Sequence, residues 1–160
     1  MSYREKFSQA DWDRIVAAPM LAGIAMTAAE PGGLWGAVRE STAAAGGIRL
    51  ARDGSGLTAE IAAAYENKDD RTTARDLLMG EVKGKTPAEI VEVALAELGA
   101  VKALVAAQTP DEAAGFASWI SDIATRVAEA GTEGGFMGFG GQKVSETEKA
   151  TLHRLSTALA

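Results

Sequence analysis

TPAEIVEVALAELGAVKALVAAQTPDEAAGFASWISDIATRVAEA, residues 86–130, is the stretch that decides the fold. It holds two helix starts of one grammar, Thr86-Pro-Ala-Glu89 and Thr109-Pro-Asp-Glu112. Pro fits the first helical position, where its missing N–H costs nothing. A Thr oxygen ahead of it accepts from an orphan amide, and the acid three residues on reaches back. After Thr86 the apolar residues Ile90, Val91, Ala94, Leu95, Leu98, Val101 and Val105 recur over a wide helical arc. After Thr109, Ala113, Phe116, Ile120, Ile123 and Val127 form one stripe. The wide arc predicts contact with more than one neighbouring helix. The short link between the two helices predicts an antiparallel hairpin.

The same signals extend to both ends. Ser145-Glu-Thr-Glu148 is a further capping box, followed by Leu152, Leu155 and Leu159 at helical spacing. Ser8-Gln-Ala-Asp11 opens the first helix. The spacing predicts helices over 9–29, 33–51, 57–67, 70–79, 87–107, 110–130 and 146–159. Pro19 inside the first removes one backbone hydrogen bond and predicts a kink or break near Ala17–Ala18. Pro31-Gly32-Gly33 ends that helix, and Asp53-Gly-Ser-Gly56 and Gly80 to Lys85 read as loops. No stretch alternates with β-branched or aromatic enrichment, so strands are not expected. The expectation is all-α: a single compact bundle of five to seven helices over residues 1–160, its first helix kinked at Pro19.

Composition excludes several function classes. A chain with no Cys has no disulfide framework, thiolate nucleophile or Cys-held metal cluster. With 47% hydrophobic residues and a net charge of −6 it is not a disordered chain. The longest apolar run, Ala17 to Ala29, is shorter than the ~20 residues that span a bilayer, and no basic n-region precedes it. A cytoplasmic protein that does not enter the membrane is expected. Residues 86–133 hold only Lys102 and Arg126 against Glu89, Glu92, Glu97, Asp111, Glu112, Asp122, Glu129 and Glu133, whereas residues 49–85 are neutral. A field of that sign repels phosphate backbones, so no nucleic-acid partner is expected.

Each candidate chemistry has a plainer rival. Gly80-Glu-Val-Lys-Gly-Lys-Thr86 falls one residue short of the phosphate-loop spacing, follows no strand, and spends Thr86 as a helix cap. His153 is the single histidine, with Ala150 three positions before it, so even one Glu-x-x-His motif is lacking. It reads as a solvated residue. No G-x-S-x-G elbow is present. Glu89 with Glu92, and Glu129 with Glu133, share helix faces and offer carboxylates to a cation. A cation-dependent enzyme using them is one alternative, and a carrier of a small apolar ligand between Ala- and Gly-rich helices is another.

Gly134-Gly-Phe-Met-Gly-Phe-Gly-Gly141 is the most unusual segment. It reads in two ways. Phe136, Met137 and Phe139, with amides forming an anion nest and Lys143 close behind, suit a loop that grips a partner or ligand. The same side chains suit a connection that tucks over the end of the bundle. Trp119 lies at the edge of its helix's stripe and reads either as core edge or as an oligomer contact. Gly32-x-x-x-Gly36, Gly46-Gly47 and Ala43–Ala45 give the second helix a small-residue surface that allows close helix approach. No catalytic set, cofactor or metal site is expected. The leading expectation is a non-enzymatic binding or interaction protein acting as a homo-oligomer. Its candidate binding residues are Phe136, Met137, Phe139, Lys143 and Trp119, and a protein partner is in view.

Ala18-Pro19-Met20-Leu21-Ala22-Gly23, Ala29-Glu30-Pro31-Gly32-Gly33-Leu34-Trp35-Gly36 and Glu133 to Gly141 with Val144-Ser145-Glu146 resemble a group of small uncharacterised bacterial helical proteins. The resemblance implies a bacterial, cytosolic, helical protein. It brings no assigned activity and therefore no site residue.

Overall fold

The computed structural model describes residues 2–30, 37–132 and 144–160, with backbone only for 37–43, 131 and 132. Among these residues the chain is helical throughout and contains no strand. A 3-10 turn, Tyr3–Lys6, precedes seven α-helices: α1 Gln9–Ala29, α2 Ala37–Ala51, α3 Leu57–Ala64, α4 Lys68–Val82, α5 Pro87–Gln108, α6 Pro110–Thr132 and α7 Glu146–Ala158. The first helical element is therefore this turn, ahead of the proline-bearing helix. Ser8 caps α1 by accepting from the Asp11 amide.

α1 is the central helix, packed against α2, α4, α5, α6 and α7. That position explains its composition: from Ile15 to Ala29 it is buried almost all round, so it shows no single apolar stripe. The helix runs unbroken across Pro19, so the expected break is not there. Without an N–H, Pro19 cannot pair with the Ile15 carbonyl. One residue on, the Tyr65 hydroxyl from the end of α3 donates to the Val16 carbonyl. Burial pushes the Tyr65 phenol well above its ordinary range, against a smaller downward pull from the Met20 backbone amide. The hydroxyl therefore stays a donor.

The α5–α6 pair forms as its pattern predicts, joined through Thr109 alone. Leu98, Val101 and Val105 of α5, and Phe116, Ile120 and Ile123 of α6, are fully buried. α7 lies against α1, α5 and α6. The boxes at Thr86 and Ser145 are both complete. The box expected at Thr109 is not. The Thr109 hydroxyl donates back to the Val105 carbonyl at 2.9 Å, and the Glu112 carboxylate is spent elsewhere. It accepts from the Tyr3 hydroxyl at 2.8 Å and from the Leu57 amide at 2.9 Å, and so caps α3 from another helix. Gly56, at φ +85°, brings the backbone so close that a Cβ there would meet the Glu112 carboxylate at 2.6 Å. Glu60 in turn holds the N-terminal turn, accepting from the Ser2 hydroxyl and the Tyr3 and Arg4 amides. Burial pushes the Glu60 carboxyl upward, but these hydrogen bonds leave it below its usual value.

Three boundaries around α3 and α4 differ from the sequence reading. α3 ends at Ala64 instead of 67, because Asn67 leaves the helix to cap α4 through the Asp69 and Asp70 amides. α4 consequently starts at Lys68, and it runs through Gly80 to Val82. Gly80 is neither crowded nor at positive φ, so nothing at that residue stops the helix; Gly84, at φ +74°, lies in the turn that follows.

Candidate functional site

α2 makes its most extensive packing on α6 and a slighter one on α1. Gly47 sets the α2–α6 approach: a Cβ there would lie 2.9 Å from Ile123 Cγ1. Trp119 adds to the same seam, its indole N–H donating to the Gly47 carbonyl at 3.2 Å. With α2 held on α6, its other side faces α1, α3 and α4 across a cleft of about 600 Å³. Pockets that hold small molecules commonly measure ~300–1,000 Å³.

The cleft exists because small side chains stand where helices would otherwise interlock. α1 contributes Met20, Gly23, Ile24 and Thr27, spaced as one helical face. α2 contributes Ala44, Ala45 and Ile48, and Ala62 of α3 and Leu78 of α4 complete an apolar floor. The rim is charged. Arg49 and Arg52 rise from the end of α2, Glu66 follows α3, and Arg71 lies on α4. Arg52 pairs with Glu66 at 2.6 Å, and Arg71 donates to the Tyr65 carbonyl at 2.6 Å. The Arg49 side chain has no ion-pair or hydrogen-bond partner among the described residues. An apolar floor with a few polar groups at its edge can hold an amphipathic molecule and fix its direction.

The residues singled out in sequence fall elsewhere. Phe136, Met137, Phe139 and Lys143 lie outside the described residues. Trp119 is half-buried on the far side of α2 from the cleft. There it borders a smaller depression of about 260 Å³ with Leu50, Asp122 and Arg126. Of the carboxylates offered for a cation, Glu133 lies outside the described residues, and Glu89 and Glu92 are each engaged separately. Glu89 closes the α5 capping box and Glu92 pairs with Arg154 of α7 at 2.7 Å. Among the described residues no three Asp, Glu or His side chains are placed to hold a metal ion. His153 is exposed. Among the described residues no helix is long and apolar enough to cross a membrane.

The cleft itself was not read from the sequence. Its small residues were visible as a surface for close helix approach, which is what Gly47 provides. Ala44 also lies close, a Cβ at Gly23 of α1 standing 3.5 Å from its own, whereas Ala45, exposed on the same helix, leaves space. The arginines were hidden inside a segment whose charges cancel. The usable signal was local: Ala45, Ile48, Arg49 and Arg52 share one face of a helix.

No protein-family model matches this chain, and neither a curated protein nor a solved structure does.

Proposed function

We propose that the protein is a non-enzymatic binding protein that holds a small, mainly apolar molecule in the cleft between α1, α2 and α4. The observation that carries this reading is the cavity of about 600 Å³, floored by Met20, Ile24, Ile48 and Leu78 and edged by arginines. A bend of α1 at Pro19 belongs to the same proposal, since the cleft begins at the next residue, Met20. The likeness to small bacterial helical proteins supports a bacterial cytosolic setting. Leu50, 64% exposed beside Trp119, supports self-association as a homo-oligomer. Sedimentation of Leu50→Lys tests that part: a lighter species than wild type is expected, and an unchanged one counts against it.

The uncharged dye Nile red tests the cleft. Wild type should bind it with enhanced, blue-shifted emission while folded. Ala45→Trp fills the cleft from an exposed position and should abolish that emission without altering the helical circular dichroism. A folded Ala45→Trp variant that binds the dye as wild type does would refute the reading.

A further inference from the structure

The rim of the cleft runs against the charge of the chain. On a protein carrying −6, the described lining holds three guanidinium groups and one carboxylate, that of Glu66. Two of the three cations are already engaged. Arg52 and Glu66 neutralise each other, and Arg71 is tied to the Tyr65 carbonyl. Arg49 is not engaged, and it follows Ile48 directly on the helix that supplies one wall. Resting on the reading of the cleft as a binding site, we infer that its ligand is a single-chain amphipathic carboxylate. The apolar body lies along Met20, Ile24 and Ile48, and the head is taken by Arg49.

The chemistry favours this class over its neighbours. A cationic ligand would meet a net positive rim. A neutral one would gain nothing from the Arg49 guanidinium, which stands exposed at the edge of an apolar surface. A guanidinium presents parallel N–H donors that match the two coplanar oxygens of a carboxylate. One available fork suits a head with two such oxygens better than a phosphate, whose third oxygen and second charge would call on Arg52 and Arg71. Arg49 lies at the mouth, so part of the attraction is screened by salt.

Displacement of Nile red tests the inference with three competitors of equal chain length: laurate, dodecanol and dodecyl phosphate. Laurate should displace the dye at a concentration about ten-fold below that of dodecanol, the scale of one charge-assisted pair. Dodecyl phosphate should gain nothing over laurate. Arg49→Gln should lose the laurate preference, and high salt should shrink that preference in wild type. Equal displacement by laurate and dodecanol would overturn the inference while leaving the cleft reading intact. So would a preference that survives in Arg49→Gln, or dodecyl phosphate outcompeting laurate. Failure of wild type to bind the dye at all would overturn both.

Discussion

The two sides of α1 are filled in opposite ways. Toward α5 and α6 the chain supplies Leu98, Val101, Phe116 and Ile120, all fully buried, and the helices interlock. Toward α2 and α4 it supplies Gly23, Ala44, Ala45 and Ala62, and a cleft of about 600 Å³ stays open. Both sides are helical and largely apolar. The difference lies in side-chain volume at the facing positions. An arc of Leu, Val and Ile closes an interface, and the same arc in Gly and Ala closes it only where another contact draws the helices together. Gly47 on Ile123 is such a contact and Gly23 on Ala44 another, whereas Ala45, across α2 from Gly47, stands exposed at the cleft.

The largest expected effect separates the two sides directly. Phe116→Ala should cost about 3–5 kcal/mol in urea unfolding, because a fully buried ring leaves a cavity among packed neighbours. Met20→Ala, half-buried on the cleft, should cost about 1 kcal/mol, near the centre of the range for single substitutions. Equal losses would show that the cleft side is packed as tightly as the other.

A neighbouring pair of glycines sharpens the contrast within one helix. Gly47→Ala pushes a methyl against Ile123 and should destabilise by about 1–3 kcal/mol. A Cβ at Gly46 meets nothing among the described residues, so Gly46→Ala should stabilise by about 0.5–1 kcal/mol through helix propensity alone. Stabilisation by both would mean that α2 does not sit closely on α6.

The N-terminal clasp offers a smaller, pH-dependent effect. The Glu60 carboxyl is held below its ordinary value in the folded chain, with burial opposing its hydrogen bonds. Its contribution is therefore fully present above the unfolded value of about 4.3 and is lost as pH falls through the folded one. Urea midpoints at pH 7 and in acid should differ more for wild type than for Glu60→Gln. An identical acid loss in the variant would remove Glu60 from the account. The smallest effect belongs to the rim: Arg49→Gln should leave the unfolding midpoint unchanged while altering ligand preference, since the side chain is exposed and bonded to no described residue.

Much of the bundle was legible in the sequence because caps and arcs are local. Ser8, Thr86 and Ser145 mark true helix starts, and the predicted apolar positions of α5 and α6 are buried, save Ile90 and Ala113, which are half-buried. Thr109 shows where local grammar loses. Its hydroxyl turns back on α5, and Glu112 serves a helix more than fifty residues away by a hydrogen bond that spacing cannot reveal. Asn67 was overlooked as a cap, which shifted two boundaries. The cleft was illegible for the same reason as the Glu112 contact. It depends on which helices face one another, and four arginine-rim and small-residue positions on α2 acquire meaning only once α6 has claimed the other side of that helix.

The central claim is that the cleft, and not another surface, receives an amphipathic carboxylate. Backbone amide chemical-shift mapping during titration with laurate tests it most directly. The account predicts saturable shifts at Gly23, Ala44, Ala45 and Arg49, with Leu98 and Phe116 unmoved. Saturating laurate that leaves those four amides in place, or that shifts α5 and α7 instead, would contradict it.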